Sequence, residues 1–369
     1  MKRLLTIAIV GAALAGVALA SPAGALAAKR SQSPGYQNPV FASPGAPDPM
    51  VLDVAGTHSN YYAFSTGDRF PMLRSKDLVS WAPAGAALAV RPSWAVQEGE
   101  WNPWSPSVIE RAGPCPGSTG TRCFVLFFVS RHGTLSPATN CIGVATSPTP
   151  GGPYQDRGPL KDTAGSVDGS GRPIGCGDDV GYSNIDPAPF VDADGKAYLY
   201  LSTTRRCLAD GTCPGNRRIG VIPLGPGLLT ATGPRQELFG ATDPWEQASF
   251  GGVVENPWLH RRGDSSYFLL FSGGAYNGPY GMGYATSATP TGPFVKDPLN
   301  PFLREANNVL SVGGGMLVTG PRGGTWLAYH GRQDAYTNPR QLRIDSVSWP
   351  SATTLATKGP TSARQSIAP

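Results

Sequence analysis

Charge is scarce in this chain: Lys, Arg, Asp and Glu make up 15% of 369 residues, against 40% hydrophobic ones. The net charge is only +5, and Lys2 and Arg3 belong to a leader expected to be removed, which leaves 5 − 2 = +3. A basic surface able to grip nucleic acid is excluded by that balance. Histidine and cysteine are also few, four and six residues, and no two cysteines form a C-x-x-C pair. A zinc site built on closely spaced thiolates is therefore not expected. Beyond the first 28 residues no apolar run approaches the length that crosses a bilayer, so no stable membrane association is expected.

What the chain has in abundance is turn-forming residues. Glycine and proline together supply 48 + 37 = 85 of 369 positions, which rules out long helices, while 13 Phe, 13 Tyr and 8 Trp rule out disorder. Short apolar segments between turn signals are the pattern of an all-β protein.

The N-terminus reads Met1-Lys2-Arg3, an apolar run from Leu4 to Ala20, and small residues through Ala28. That order of basic, apolar and small segments is a secretory signal peptide over 1–28, followed by a short linker over 29–35. Export places the six cysteines in an oxidising compartment, where they are expected to pair in sequence order as Cys115–Cys123, Cys141–Cys176 and Cys207–Cys213, one of 15 connectivities that six cysteines allow.

An internal repeat sets the organisation. Gly143-Val-Ala-Thr-Ser-Pro-Thr-Pro-Gly-Gly-Pro-Tyr154 returns as Gly283-Tyr-Ala-Thr-Ser-Ala-Thr-Pro-Thr-Gly-Pro-Phe294, identical at eight of twelve positions. Each copy closes a larger unit whose middle is a strongly apolar strand, and five such middle strands can be read at 60–65, 123–130, 197–202, 266–272 and 324–330. The units open near Asp48, Pro106, Asp186, Glu255 and Met316, in steps of 58, 80, 69 and 61 residues, which is the period of propeller blades. A single-domain, five-bladed β-propeller over 36–350 follows, with a C-terminal tail over 351–369. Asp192-Ala193-Asp194-Gly195 supplies one of its hairpin turns.

Three openings carry a carboxylate beside a proline: Asp48-Pro49, Asp186-Pro187 and Glu255-Asn256-Pro257. The first strands of all blades line one channel, so these acids converge, and two carboxylates flanking a bond are what glycoside hydrolysis requires. Glu255, with the longer reach, suits a general acid that must hold its proton near neutral pH; Asp48 suits a base that must stay ionised. Among aromatic residues near the inner strand ends (Trp101, Trp104, Phe250, Trp258 and Tyr276), Trp104 and Phe250 are the first candidates for stacking on sugar rings. The basic pairs Arg205-Arg206, Arg217-Arg218 and Arg261-Arg262 read as solvated loops.

The openings with Asp48, Asp186 and Glu255, together with Trp104-Ser-Pro-Ser-Val-Ile109, Tyr329-His330-Gly331 and Arg340-x-Leu-x-Ile-Asp345-x-x-x-Trp349, resemble glycoside hydrolase family 43 over about residues 36 to 350. The resemblance implies a five-bladed propeller that cleaves, with inversion, arabinofuranosyl linkages of plant or microbial polysaccharides or oligosaccharides, with xylosyl linkages as the second choice of substrate. It implies Asp48 as base, Glu255 as acid, Asp186 as the residue that tunes the acid, Arg340 on the substrate side, and His330 in the channel, where a structural calcium ion is often held; no cofactor is required. The sequence departs from the family at Asn256, Ser107 and Gly313-Gly314-Gly315. Two other readings are a non-catalytic carbohydrate-binding propeller, which the three retained acids disfavour, and a retaining fructan-processing propeller, whose Asn-Asp-Pro-Asn nucleophile motif is missing. The chain is expected to be a secreted, extracellular monomer.

Overall fold

The computed structural model describes residues 35–135, 139–163, 172–177, 182–205, 217–247, 251–263 and 266–366. The expected leader, Phe250, and the expected Cys207–Cys213 pair lie outside them. The described residues belong to one compact unit, Pro34–Pro369.

Five sheets form the five blades of a β-propeller. Their inner strands are Met50–Asp53, Trp104–Ala112, Tyr182–Val191, Val254–Arg262 and Val309–Thr319. The second strands are Tyr61–Phe64, Arg122–Arg131, Ala197–Arg205, Ser266–Gly274 and Thr325–Gln333, where the apolar segments of the sequence place them. Each second strand lies between neighbouring blades, so both its faces are covered and its apolar residues run continuously rather than alternating. Residues 124–129 of blade 2 are all buried for this reason. Among the described residues the helical content is two single turns, Val54–Gly56 and Pro244–Gln247.

The internal repeat is the third strand of blades 2 and 4 with the turn that follows. In blade 2, the Thr149 hydroxyl donates to the Gly152 carbonyl at 2.9 Å and the Thr149 N–H to Ser147 Oγ at 3.2 Å. In blade 4, Thr289 makes the same two bonds, to Gly292 and Ser287, at 2.5 and 3.1 Å. A Ser-x-Thr-x-x-Gly turn closed by its own side chains explains why those letters recur. The hairpin at Asp192 also forms, with Gly195 at φ 83° and the Asp192 N–H bonded to Lys196 at 2.9 Å.

Both ends of the described chain close the ring on blade 5. Gly35–Tyr36 pairs with Gln365–Ser366, and Phe41 bridges to Leu342. Residues expected as a tail thus carry structure: Ala356–Thr357 is the outer strand of blade 5, and the Thr361 hydroxyl donates to Asp345 Oδ1 at 2.6 Å. The Asp345 carboxylate also accepts from Tyr329, Tyr36 and Asn38, so one buried acid ties the N-terminal segment to the last blade. Two of the expected disulfides are present, Cys115–Cys123 and Cys141–Cys176.

Each inner strand is interrupted at the channel by a residue in the left-handed region. These residues are Asp48, Ser105, Asp186, Asn256 and Gly314, with φ of 48°, 44°, 55°, 51° and 57°. The first four precede proline, and the strand register breaks at four of the five positions, in blades 2 to 5. Asp and Asn tolerate this conformation better than other non-glycine residues, and strain of this kind persists where the surroundings over-determine it. The interruption brings these five residues together around one channel.

Candidate active site

The five left-handed residues and the prolines after four of them line the throat of the channel. Above the throat a pocket of about 410 Å3 is lined by Asp48, Asp186 and Glu255, with Thr66, Trp104, Asn140, Arg217, Tyr276, Tyr280 and Arg340 among its walls. The three acids expected to converge are therefore together. Glu255 is offset from the other two: it precedes the left-handed residue of its blade, level with Trp104 and Ile185, and so faces the pocket rather than the throat.

Asp48 is enclosed by donors. Arg340 Nη1 lies 2.9 Å from its Oδ1, the Thr66 hydroxyl donates to its Oδ2 at 2.7 Å, and its own N–H donates to His330 Nδ1 at 3.1 Å. Burial works against the charge, but the Arg340 guanidinium and the Thr66 hydroxyl outweigh it and hold the Asp48 carboxyl below the usual carboxylate range. A permanently ionised acid at the throat is what water activation needs.

Asp186 has the opposite surroundings. Ser105 Oγ donates to its Oδ1 at 2.6 Å and the Asn256 N–H to its Oδ2 at 3.1 Å, and no cation pairs with it among the described salt bridges. Burial first, and then the charge of Glu255, push it up to about 7. Asp186 thus binds a proton far more readily than an ordinary carboxyl.

Glu255 is buried, and both of its oxygens are engaged. Tyr280 donates to Oε1 at 2.7 Å, and Arg217 pairs with Oε2. Burial, and after it the neighbouring Glu255, keep the Tyr280 hydroxyl protonated well beyond neutral pH, so it remains a donor. Asn256 Nδ2 donates to the same hydroxyl at 3.3 Å, which fixes its orientation.

His330 is fully buried beneath Asp48 and stacks on Tyr280 with ring centroids 6.1 Å apart and planes 6° from parallel. Burial and then the nearby Arg340 charge lower its pKa to about 3, so the ring is neutral. Its Nδ1 accepts the Asp48 N–H, which places the hydrogen of a neutral imidazole on Nε2. Calcium wants six to eight oxygen ligands, and a protonated nitrogen offers no lone pair. Among the described residues no three His, Cys, Asp or Glu side chains group to hold a metal ion, and the buried His330 Nε2 has no hydrogen-bond partner. The space for the imidazole comes from Gly314, where a Cβ would lie 2.7 Å from ring atoms of His330 and 3.1 Å from Asp48 Oδ1.

Of the aromatic candidates, Trp104 and Tyr276 are 38% and 43% exposed at the pocket rim, with Arg340 5.7 Å above the Tyr276 ring. Trp101 is buried against Phe70 and Trp258 is packed in the core, so neither reaches the pocket. The described basic pairs are not solvated loops. Arg217 pairs with Glu255, Arg218 with Glu237 and Arg261 with Asp192, while Arg262 covers the Trp349 ring at 4.7 Å.

The repeat contained a signal for two site residues that sequence reasoning missed. Asn140 and Tyr280 occupy the same place in the two copies, three residues before the aligned Gly143 and Gly283, and both line the pocket. Thr66 and Ser105 had no such signal.

A family model described as glycosyl hydrolases family 43 matches residues 36–354. Among curated proteins, the chain is 26% identical over 268 residues to a β-D-galactofuranosidase of Aspergillus niger, covering 71% of this chain and 66% of that one. It is 27% identical over 249 residues to an arabinoxylan arabinofuranohydrolase of Bacillus subtilis, covering 63% of this chain and 42% of that one. The chain thus spans less than two thirds of either relative. Among solved structures, a thermostable family-43 glycoside hydrolase superposes with a TM-score of 0.71 at 25% identity, covering 89% of this chain and 98% of that one.

Proposed function

The chain belongs to glycoside hydrolase family 43, and from that premise we propose that it is a secreted, inverting glycosidase that cleaves arabinofuranosyl linkages of polysaccharides or oligosaccharides. The observation that carries this reading is the unequal treatment of the carboxylates. Asp48 is held ionised by Arg340 and Thr66, while Asp186, beside Glu255, is held partly protonated by burial and charge. One member stays ionised and the neighbouring acid pair retains a proton, which is the division of labour that acid–base cleavage requires.

In the proposed reaction, Asp48 takes a proton from a water molecule as the water oxygen bonds to the anomeric carbon. Glu255 gives its proton to the glycosidic oxygen as the bond from that oxygen to the anomeric carbon breaks. The products are a sugar of inverted configuration and an alcohol, with Asp48 protonated and Glu255 ionised. Asp186 does not touch the sugar in this scheme; its role is to keep a proton available to Glu255. Trp104 and Tyr276 at the rim supply apolar faces for sugar rings, and Arg340 both holds Asp48 and borders the substrate.

Furanosyl specificity is favoured over xylosyl because both curated relatives bear furanosidase names, the galactofuranosidase and the arabinofuranohydrolase. Secretion is supported by the leader and by the two disulfides, which persist in oxidising compartments. The test is release of 4-nitrophenol from the α-L-arabinofuranoside, the β-D-galactofuranoside and the β-D-xyloside. The arabinofuranoside should give the highest kcat/KM, and a preference for either of the others would replace the substrate while leaving the carboxylate roles in place.

A further inference from the structure

In the free protein a cation opposes the proton that Glu255 is proposed to deliver. Its Oε1 accepts from Tyr280, whose hydroxyl is oriented by Asn256, which leaves Oε2 as the oxygen with more room for an acidic hydrogen. Arg217 occupies Oε2. A guanidinium has donors only and a fixed positive charge, so it stabilises the ionised carboxylate and disfavours a hydrogen on the oxygen it holds. The arginine and the acidic proton therefore compete for one oxygen.

We propose that Arg217 is a movable cap on the general acid, holding Glu255 Oε2 in the free protein and releasing it when the leaving-group part of the substrate enters, to which its guanidinium then donates. This rests on Glu255 being the acid. The Arg217 side chain lines the pocket wall and is 22% exposed, against 7% for Glu255, so of the two partners it is the one placed to move. Glu255 Oε2 marks the position of the glycosidic oxygen, and a guanidinium displaced from it remains beside the sugar on the leaving-group side. The charges facing Arg217 are Glu255 and Asp186, with the neutral Tyr280 beyond them. Once the cation leaves, the two acids are adjacent without compensation, and a proton on one of them is favoured by their repulsion. Arg217 is thus a positioning residue for the acid and a specificity element for the leaving group.

The experiment compares wild type, Arg217→Ala and Arg217→Lys on an arabino-oligosaccharide and on 2,4-dinitrophenyl α-L-arabinofuranoside, across pH. With Arg217→Ala the loss in kcat/KM should be roughly tenfold larger on the oligosaccharide, the scale of one charge-assisted hydrogen bond, and should appear in KM rather than kcat. The alkaline limb of kcat/KM on the oligosaccharide should move up by about one pH unit, because the proton no longer competes with a cation. Arg217→Lys, which keeps the charge, should leave that limb near its wild-type position and carries the comparison if the Ala variant does not fold. Equal losses in kcat on both substrates with an unmoved limb, or no change on either, would overturn the cap. Failure of the acid assignment itself shows separately: Glu255→Ala would then lose as much on the dinitrophenyl substrate as on the oligosaccharide, whatever the Arg217 variants do.

Discussion

The N–H of Asn256 donates to Asp186 Oδ2 at 3.1 Å, so the residue after the proposed acid is bonded to the carboxylate proposed to tune it. Blades 3 and 4 are joined at the one place where their acids must keep a fixed separation. Asp186 is positioned by that bond and by Ser105 from blade 2, and it has no cation of its own.

An isolated buried carboxylate of this kind costs stability whenever it is ionised. The folded value of about 7 lies above the ordinary 3.8, so the folded state binds the proton more tightly than the unfolded one. Stability from this group is fully present below about pH 4 and is lost as pH rises through 7. Asp186→Asn removes that loss. The variant should match wild type in denaturant midpoint near pH 4 and exceed it by about 1–3 kcal/mol at pH 8, below the ~4 kcal/mol ceiling of three pKa units, while its kcat falls by roughly 10²-fold or more. A variant less stable than wild type at pH 8 would show that the Asp186 charge is compensated.

The glycines of blade 5 give a second test. Gly314→Ala drives a methyl group into His330 and Asp48 and imposes a side chain at φ 57°. It should cost about 1–3 kcal/mol of stability and lower kcat at least roughly tenfold, because the imidazole that receives the Asp48 N–H is displaced. Gly323→Ala is the matched control: its φ is 80° but nothing lies within 4 Å of the added Cβ. That variant should lose about 1 kcal/mol and keep its activity, as read by thermal melts and kinetics on one preparation.

Stereochemistry separates the inverting scheme from a retaining one. Proton NMR at early times should show the released sugar with the anomeric configuration opposite to the substrate's, before mutarotation mixes the two forms. Asp48→Ala should reduce turnover by several orders of magnitude on aryl and natural substrates alike, since every substrate needs the activated water. A first product of retained configuration would remove Asp48 from the role of base.

The strands were legible because second strands covered on both faces leave continuous apolar runs, and the acids because each sits beside a proline at the opening of its unit. Arg217 was not legible. Its sequence surroundings are those of a solvated basic pair, and only the approach of blade 3 to blade 4 brings it to Glu255. Tyr280 and Asn140 were legible in principle, through equivalent places in the repeat. The raised carboxyl of Asp186 was not legible, because which of two neighbouring acids receives the cation depends on a side chain from another segment.

The left-handed step at the head of each inner strand has a consequence for how this scaffold acquires new chemistry. The same backbone presents Asp, Ser, Asp, Asn and Gly at Asp48, Ser105, Asp186, Asn256 and Gly314. At the first four positions one conformation carries different side chains, so the throat acts as four sockets of one shape with interchangeable contents, while at Gly314 the His330 ring takes the space. An acid, an amide or a hydroxyl can be exchanged at Ser105 or Asn256 by one codon change without asking the blade to refold, which makes this ring a place to start when selecting altered activities from a library.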